Sequence, residues 1–580
     1  MRFAALSGLL LSVLAGVAPA QPLLYSRVAT AGETVAPDAF ANPLPGNPTF
    51  SILYAPLLND NNQVVFYANF GTAPFSEGLF FWNGTNIRAM LRKDDLITTQ
   101  PINGTVRFVE PGSLALNQTH AVFVARMDTD PGMVSVLWSY RLSDGLLTQL
   151  LWEGKPVLLN RDPTPVITQF NTLRLNDDGL LAINMRISGK DSGIYTYQLP
   201  FSLDITALFE AGDNVPVASE PAERVTNPFS LDAQGRVLFA VDLPSLLFAE
   251  RALLVAQASQ PTIHLLNTME PAAGAAGYFY AIIEQFDLTA GGAIMLLGLD
   301  FDMDIQPAAT AAYLWDNSSL SLLALNGEPR AAPVAGPYQE IEAVAINSQG
   351  RWSFAEGEAI DDIPPETHTG VWWNSATPAT QQIVDYHSPT ATPGLNRLLS
   401  RNNNDRLAWA TGYEGDGIFW DTLWSTHPTE SWQPLMSIGC RFDVDGVAGG
   451  TAENPTGLAL PSSFFTLFDA NREGGVAWYN NNDRVAWIAS FEFSSGIGTT
   501  MYVAPPRPYL DLNFDGLRNL ADVYWLLLDF GNIGGFLCGD VETRHDWRPG
   551  GLLEGAFGFD NTNGDVDSTD LAVILSQLSS

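Results

Sequence analysis

Hydrophobic residues occur along most of this chain as short runs rich in β-branched and aromatic side chains, separated by Gly, Pro, Asn and Asp. Such runs read as strands and their punctuation as turns. The pattern also recurs. LNDNNQVVF at Leu58 returns as LNQTHAVFV at Leu116, LNDDGLLAI at Leu175 and LDAQGRVLF at Leu231. It continues as LTAGGAIML at Leu288, INSQGRWSF at Ile346, RNNNDRLAW at Arg401 and YNNNDRVAW at Tyr479. The anchor residues are Asn59, Asn117, Asn176, Asp232, Thr289, Asn347, Asn402 and Asn480, with successive spacings of 58, 59, 56, 57, 58, 55 and 78. The period is near 57, and the last interval carries an insertion of about 20 residues.

Each copy carries further runs. After the turn comes a β-rich segment such as Val64–Tyr67 or Leu407–Ala410, then a second one, often opened by Gly: GLFFW from Gly78, GIYTY from Gly193, GVWWN from Gly370, GIFWD from Gly417. A third ends in a turn, as in LLWEG from Leu150, LFEAG from Leu208 and LALNG from Leu323. With the strand before each anchor, every period holds four short strands, the content of one β-propeller blade. A blade cannot bury both faces alone, so blades must stack around an axis. The last copy ends at Thr500–Ala504, one strand short. VATAGETVAP from Val28 matches LFEAGDNVPV from Leu208 in spacing and in its Ala-Gly-acid turn, and would supply the missing strand. The expected fold is therefore all-β: an eight-bladed β-propeller of four-stranded blades closed by the N-terminal strand. A seven-bladed ring and an irregular β-solenoid are the alternatives.

The anchor turns pose a chemical question, because Asp and Asn at close spacing are also calcium ligands. Three residues after the anchor stand Asn62, Gly179, Gly235, Gly292, Gly350, Asp405 and Asp483, with His120 the exception. These types tolerate positive φ, as a hairpin closing through a left-handed residue requires. The anchor side chain can accept a backbone N–H two residues on. Hairpin geometry accounts for every copy, including those without a carboxylate.

Bulk properties narrow the setting. Arg2, the apolar stretch Leu6–Val17 and Ala18-Pro19-Ala20 have the form of a signal peptide over residues 1–20, cleaved after Ala20. No later segment is apolar enough for a membrane span, so a secreted or extracytoplasmic chain is expected. The formal net charge of −35 disfavours nucleic acid and anionic membrane as partners. Cys440 and Cys538 are too few for a disulfide framework, although export permits a bridge between them.

Residues 21–504 hold the repeats, a Pro-rich linker follows at 505–510, and the composition changes over 511–580. DLNFDGLRNLAD from Asp511 places Asp511, Asn513 and Asp515 at loop positions 1, 3 and 5, Gly516 at the sharp turn, the Leu517 carbonyl at 7, Asn519 at 9 and Asp522 at 12. This spacing wraps one chain around Ca2+, and the apolar run Val523–Phe530 reads as the exiting helix. In a second, irregular loop Asn561, Asn563, Gly564, Asp565, Asp567 and Asp570 fit positions 3, 5, 6, 7, 9 and 12 with Phe559, which has no ligating side chain, at position 1; the alternative takes Asp560 as the first ligand of a loop one residue short. The two loop–helix units resemble a type I dockerin. The resemblance implies a small α-helical calcium-binding domain that docks onto a cohesin-like protein, in a family often attached to polysaccharide-degrading proteins. Its partner-contacting pairs fall on Leu520-Ala521 and Ser568-Thr569, which differ between the halves.

No HExxH, GxSxG or Walker pattern is present. The six histidines, His120, His264, His368, His387, His427 and His545, fall at no metal spacing. Glu356, Glu358, Asp361 and Asp362 form the densest acidic segment, expected as a solvated loop. Asp443, Asp445 and Gly446 are a calcium-loop fragment, expected as a loop tip. Trp82, Trp372, Trp373 and Trp420 are expected to pack between blades rather than to face a sugar. The expected function is a binding or interaction scaffold with an attachment tail and a glycan as candidate ligand. The alternatives are a glycoside hydrolase or polysaccharide lyase with its site at a propeller mouth, and a surface-layer or adhesion component. Acids converging with His or Arg at one mouth would favour catalysis.

Overall fold

The computed structural model describes residues 26–504 apart from several loop segments, the longest being 36–46, 358–368, 387–397, 444–457 and 467–478. For 409–478 and 490–498 it describes backbone alone. The signal segment, the linker, the dockerin-like region, both cysteines, Trp420's side chain and His368, His387, His427 and His545 lie outside the described residues.

The described chain is all-β, a β-propeller-like repeat of antiparallel sheets. The third sheet is typical: Ile167–Leu175, Leu180–Ile187, Lys190–Gln198 and Thr206–Glu210 follow one another as a meander. The anchor turn joins its first two strands. Six further sheets repeat this order, the first with an added pair at Leu57–Leu58 and the second with one at Leu96–Ile97. In the remaining sheet Pro461–Thr466, Val485–Phe493 and Gly496–Ala504 carry Ser26–Thr30 as the outer strand, with Ser26 opposite Val503 and Thr30 opposite Thr500. A small pair, Phe442–Asp443 with Leu458–Ala459, lies within the insertion.

Strand geometry explains why these runs are apolar without a polar alternate. Successive side chains point to opposite faces, and here both faces are covered. Val65 and Tyr67 pack with Phe123 and Trp138 of the second sheet. Val64, Phe66 and Ala68 pack with Val28, Ile488 and Met501 of the last. The same division recurs at Val237, Phe239 and Val241 against Leu238 and Ala240. Core therefore lies between neighbouring sheets rather than at one centre. Each large side chain so buried contributes about 1.5–3 kcal/mol. Trp82, Trp372 and Trp373 are buried in these layers.

The outer strands end in a second recurring turn. A positive-φ residue precedes an acid at Gly32-Glu33, Asp94-Asp95, Gly212-Asp213 and Met269-Glu270. Each carboxylate accepts the N–H three residues back, from Thr30, Arg92, Glu210 and Asn267, at 2.8–3.1 Å. Part of the acidity thus serves turn geometry.

One expectation is corrected. Glu356 is not in a solvated loop: it sits in the strand Trp352–Gly357, buried, and accepts hydrogen bonds from Trp372 Nε1 at 2.9 Å and Gln339 N at 2.9 Å. The indole N–H and the backbone N–H offset the cost of burying the carboxylate. Glu358, Asp361, Asp362 and Asp445 lie outside the described residues.

Candidate functional site

The anchor turns converge on a channel of about 350 Å³, lined in every sheet by the anchor turn and the residues leading into it. Locally each turn behaves as its residue types require. Asn62, Asp405 and Asp483 have φ of 58°, 63° and 59°, and Gly179, Gly235, Gly292 and Gly350 are also positive. Asn59, Asn117, Asp232, Asn347, Asn402 and Asn480 accept the N–H two residues on through Oδ1 at 2.9–3.1 Å.

The other half of each anchor side chain reaches the next sheet. Asn59 Nδ2 donates to the Asn117 carbonyl at 3.1 Å, Asn117 to that of Asn176 at 2.8 Å, and Asn176 to that of Asp232 at 3.1 Å. Asp232 has no N–H to give. Arg236 pairs with it, Nε to Oδ2 at 2.6 Å, and donates from Nη2 to the Thr289 carbonyl at 2.7 Å in its place. The Thr289 hydroxyl continues to Asn347 O at 2.8 Å, Asn347 to Asn402 O at 3.0 Å, and Asn402 to Asn480 O at 3.0 Å. Asn480 then donates to Asn59 O at 2.7 Å, returning the circuit to its start. An amide suits this position better than a carboxylate because it accepts within its own turn and donates to the next. Where the link falls to Thr289, the backbones close up: a Cβ on Gly291 would stand 2.0 Å from Gly350 N.

The residues after the anchors form an outer, incomplete tier. Asn481 donates to Asp60 from its backbone at 2.8 Å and its amide at 2.9 Å, Asn61 N to Gln118 at 3.2 Å, Gln118 to Asp177 at 3.4 Å, and Ser348 N to Asn403 at 2.9 Å. Ala233 and Ala290 interrupt it. Burial, with Asp60 second, raises the Asp177 carboxyl above its ordinary range.

Deeper in the channel, Asp287 accepts from the Ser230 hydroxyl at 2.9 Å and Leu288 N at 2.8 Å. Desolvation raises its carboxyl despite these bonds and the Arg174 charge. Arg401 holds Asn374 O at 2.6 Å and Asp405 at 3.1 Å, and burial, with Arg351 second, pushes its guanidinium down to about 9. Acids and arginines do meet here, but Asp232, Asp287 and Arg401 are bound into structural contacts. Neither described histidine lines the channel. His120 contacts the Thr119 hydroxyl and His264 the Asn267 side chain. Among the described residues no group of three His, Cys, Asp or Glu is placed to hold a metal.

Sequence reasoning found the anchors but missed Arg174, Arg236, Asp287 and Arg401. A signal for Arg236 was present: Arg recurs four residues after the anchor at Arg236, Arg351, Arg406 and Arg484. Besides Arg236, two of these cross to the next sheet, Arg351 to Asp405 and Arg406 to Asp483, the latter at 2.9 Å. The expected calcium ligands, Asp511 through Asp570, lie outside the described residues.

A family of unknown function (DUF7453) has a model that matches residues 202–492, 291 of the 580 residues. No curated protein matches the sequence. Among solved structures, the chain is similar to the β-propeller domain of the Trilobed protease from Pyrococcus furiosus, at 9% identity, over 67% of this chain and 99% of that one, with a TM-score of 0.37. It is similar to a puromycin-hydrolyzing peptidase of Mycobacterium tuberculosis at 13% identity, over 76% and 58%, with a TM-score of 0.33. It is also similar to the polysaccharide lyase Uly1 at 9% identity, over 71% and 94%, with a TM-score of 0.35. The chain spans less than two thirds of the peptidase's length. Likenesses at these identities and TM-scores carry no activity to this chain.

Proposed function

This chain belongs to the DUF7453 family of unknown function, and we propose that its repeats form a closed eight-bladed β-propeller that serves as an exported binding scaffold. One observation carries the reading: the anchor side chains are spent on the neighbouring turns, each on the next turn's carbonyl except at Asp232, where Arg236 makes the link, around to Asn59. Such a channel is a rigid support, and recognition falls to the surfaces it holds in place. The tail would attach the scaffold. Asp511, Asn513, Asp515, Leu517, Asn519 and Asp522, with Asp560, Asn561, Asn563, Asp565, Asp567 and Asp570, offer the oxygen donors Ca2+ takes, and the dockerin-like pattern points to a cohesin-type or cell-surface partner.

Two measurements on the full chain test this. Glycan-array binding with no release of reducing ends or unsaturated products from polysaccharides is expected; turnover by purified protein would overturn the scaffold. Calorimetric calcium titration should give heat that D511A/D515A abolishes, and equal heat from that variant would remove the metal site.

A further inference from the structure

The channel is not the only cavity. A second one, of about 290 Å³, opens between the third and fourth sheets, at the strand ends remote from the anchor turns. Three of its eight lining residues are arginines, Arg186, Arg224 and Arg251, in a chain with 28 Lys and Arg among 580 residues and a net charge of −35. A cationic concavity in so acidic a protein needs a reason.

The charges are only partly compensated. Arg224 and Arg251 share one carboxylate, Asp242, at 2.6 and 3.0 Å. Their side chains remain 56% and 39% exposed, with donors left over. The Arg186 side chain has no ion pair or hydrogen bond with the described residues and is exposed. Asp191 and Glu223, next in the chain to Ser192 and Arg224, are not among the walls.

Beside the arginines runs a fixed chain of amides. Asn184, fully buried, accepts from Asn171 Nδ2 at 3.1 Å and donates to Asn227 Oδ1 at 2.9 Å. Each end amide therefore has one half committed inward. The halves left over are of opposite kind, a carbonyl on Asn171 and an NH2 on Asn227, and both residues line the cavity. Ser192 accepts Val225 N at 2.7 Å, which leaves its hydroxyl proton to give.

We propose that this cavity binds a ligand carrying a carboxylate beside hydroxyl groups, the chemistry of a uronate sugar. The guanidiniums take the carboxylate through forked N–H donors. The donor and acceptor ends of the amide chain take hydroxyls, each of which both gives and receives. The volume suits a single sugar ring at the low end of ligand pockets. The proposal rests on the scaffold reading and names its ligand class.

The test is calorimetry or ligand-observed NMR on the full chain with glucuronate, glucose and acetate. Saturable glucuronate binding is expected, weakening with salt, with glucose and acetate each about tenfold weaker or more. R186A should lose about tenfold and R186K somewhat less, because Lys keeps the charge without the fork. N227D, which replaces the outward donor with an acceptor, should lose a similar factor, while R107A, elsewhere in the chain, should match wild type. No glucuronate binding, equal binding of acetate, or full affinity in both R186A and N227D would overturn the site. Binding of other glycans in that case would leave the scaffold standing, whereas turnover of any polysaccharide would refute the scaffold itself.

Discussion

The anchor circuit makes a quantitative claim at Asn176. Its Nδ2 donates to the Asp232 carbonyl at 3.1 Å, and its Oδ1 accepts Leu180 N at 2.8 Å. N176D keeps the acceptor and removes only the donor, so an anionic oxygen then faces a carbonyl. The Asp232 carbonyl keeps its Gly235 N–H at 3.2 Å, so the lost hydrogen bond costs about 0.5–1.5 kcal/mol, and the misplaced buried charge adds to it, giving ~2–4 kcal/mol near pH 8. The new carboxyl should titrate above the ordinary ~3.9 in the folded state, because protonation restores the donor. Below the unfolded value the penalty is smallest, and it grows as pH rises through the folded value, so it should be larger at about pH 8 than at about pH 5. Guanidinium denaturation followed by tryptophan fluorescence measures it. The chain also contains its own control: Asp232 is tolerated because Arg236 pairs with it and takes over the link. N176D/L180R reproduces that arrangement and should recover part of the loss. An N176D variant within about 0.5 kcal/mol of wild type near pH 8 would refute the load assigned to the circuit, as would a penalty that shrinks with rising pH.

Three further outcomes follow from the same geometry. G291A should cost about 2–4 kcal/mol in a denaturant titration, because its Cβ would meet Gly350 N at 2.0 Å and force the Thr289–Asn347 link apart; a neutral result would show that the backbones separate freely. Deleting residues 26–30 leaves the Gly496–Ala504 edge unpaired, and oligomers should appear by light scattering; a monomer with unchanged stability would count against closure by that strand. D287N removes a carboxyl held above its ordinary range by burial. The wild-type contribution is present below the unfolded pKa and lost as pH rises through the folded one, so D287N should flatten stability against pH. A profile parallel to wild type would contradict this.

Some of this was legible residue by residue. Gly179, Asn62 and Asp405 could be assigned left-handed turns because φ sterics are local, and their φ values agree. The Asx half was legible for the same reason at Asn59, Asn117, Asp232, Asn347, Asn402 and Asn480: donor and acceptor stand two residues apart. Trp372 could be placed in core because its run is apolar on alternate and intervening positions alike. Glu356 was misread, because its acidic neighbours Glu358, Asp361 and Asp362 suggested solvent while its partners, Trp372 and Gln339, are 16 and 17 residues away.

By itself, then, the sequence determined the strand repeat, its period, the turn chemistry and the oxygen-rich tail pattern, all set by neighbours along the chain. Only the tertiary structure decided where the other half of each anchor amide goes, why Asp232 needs Arg236, and that Arg186, Arg224 and Arg251 share a cavity with Asn171 and Asn227. Those contacts join residues some 55 to 421 positions apart at the anchors. Hydrogen bonds act over about 3 Å, so spacing along the chain says nothing about them until the sheets have stacked.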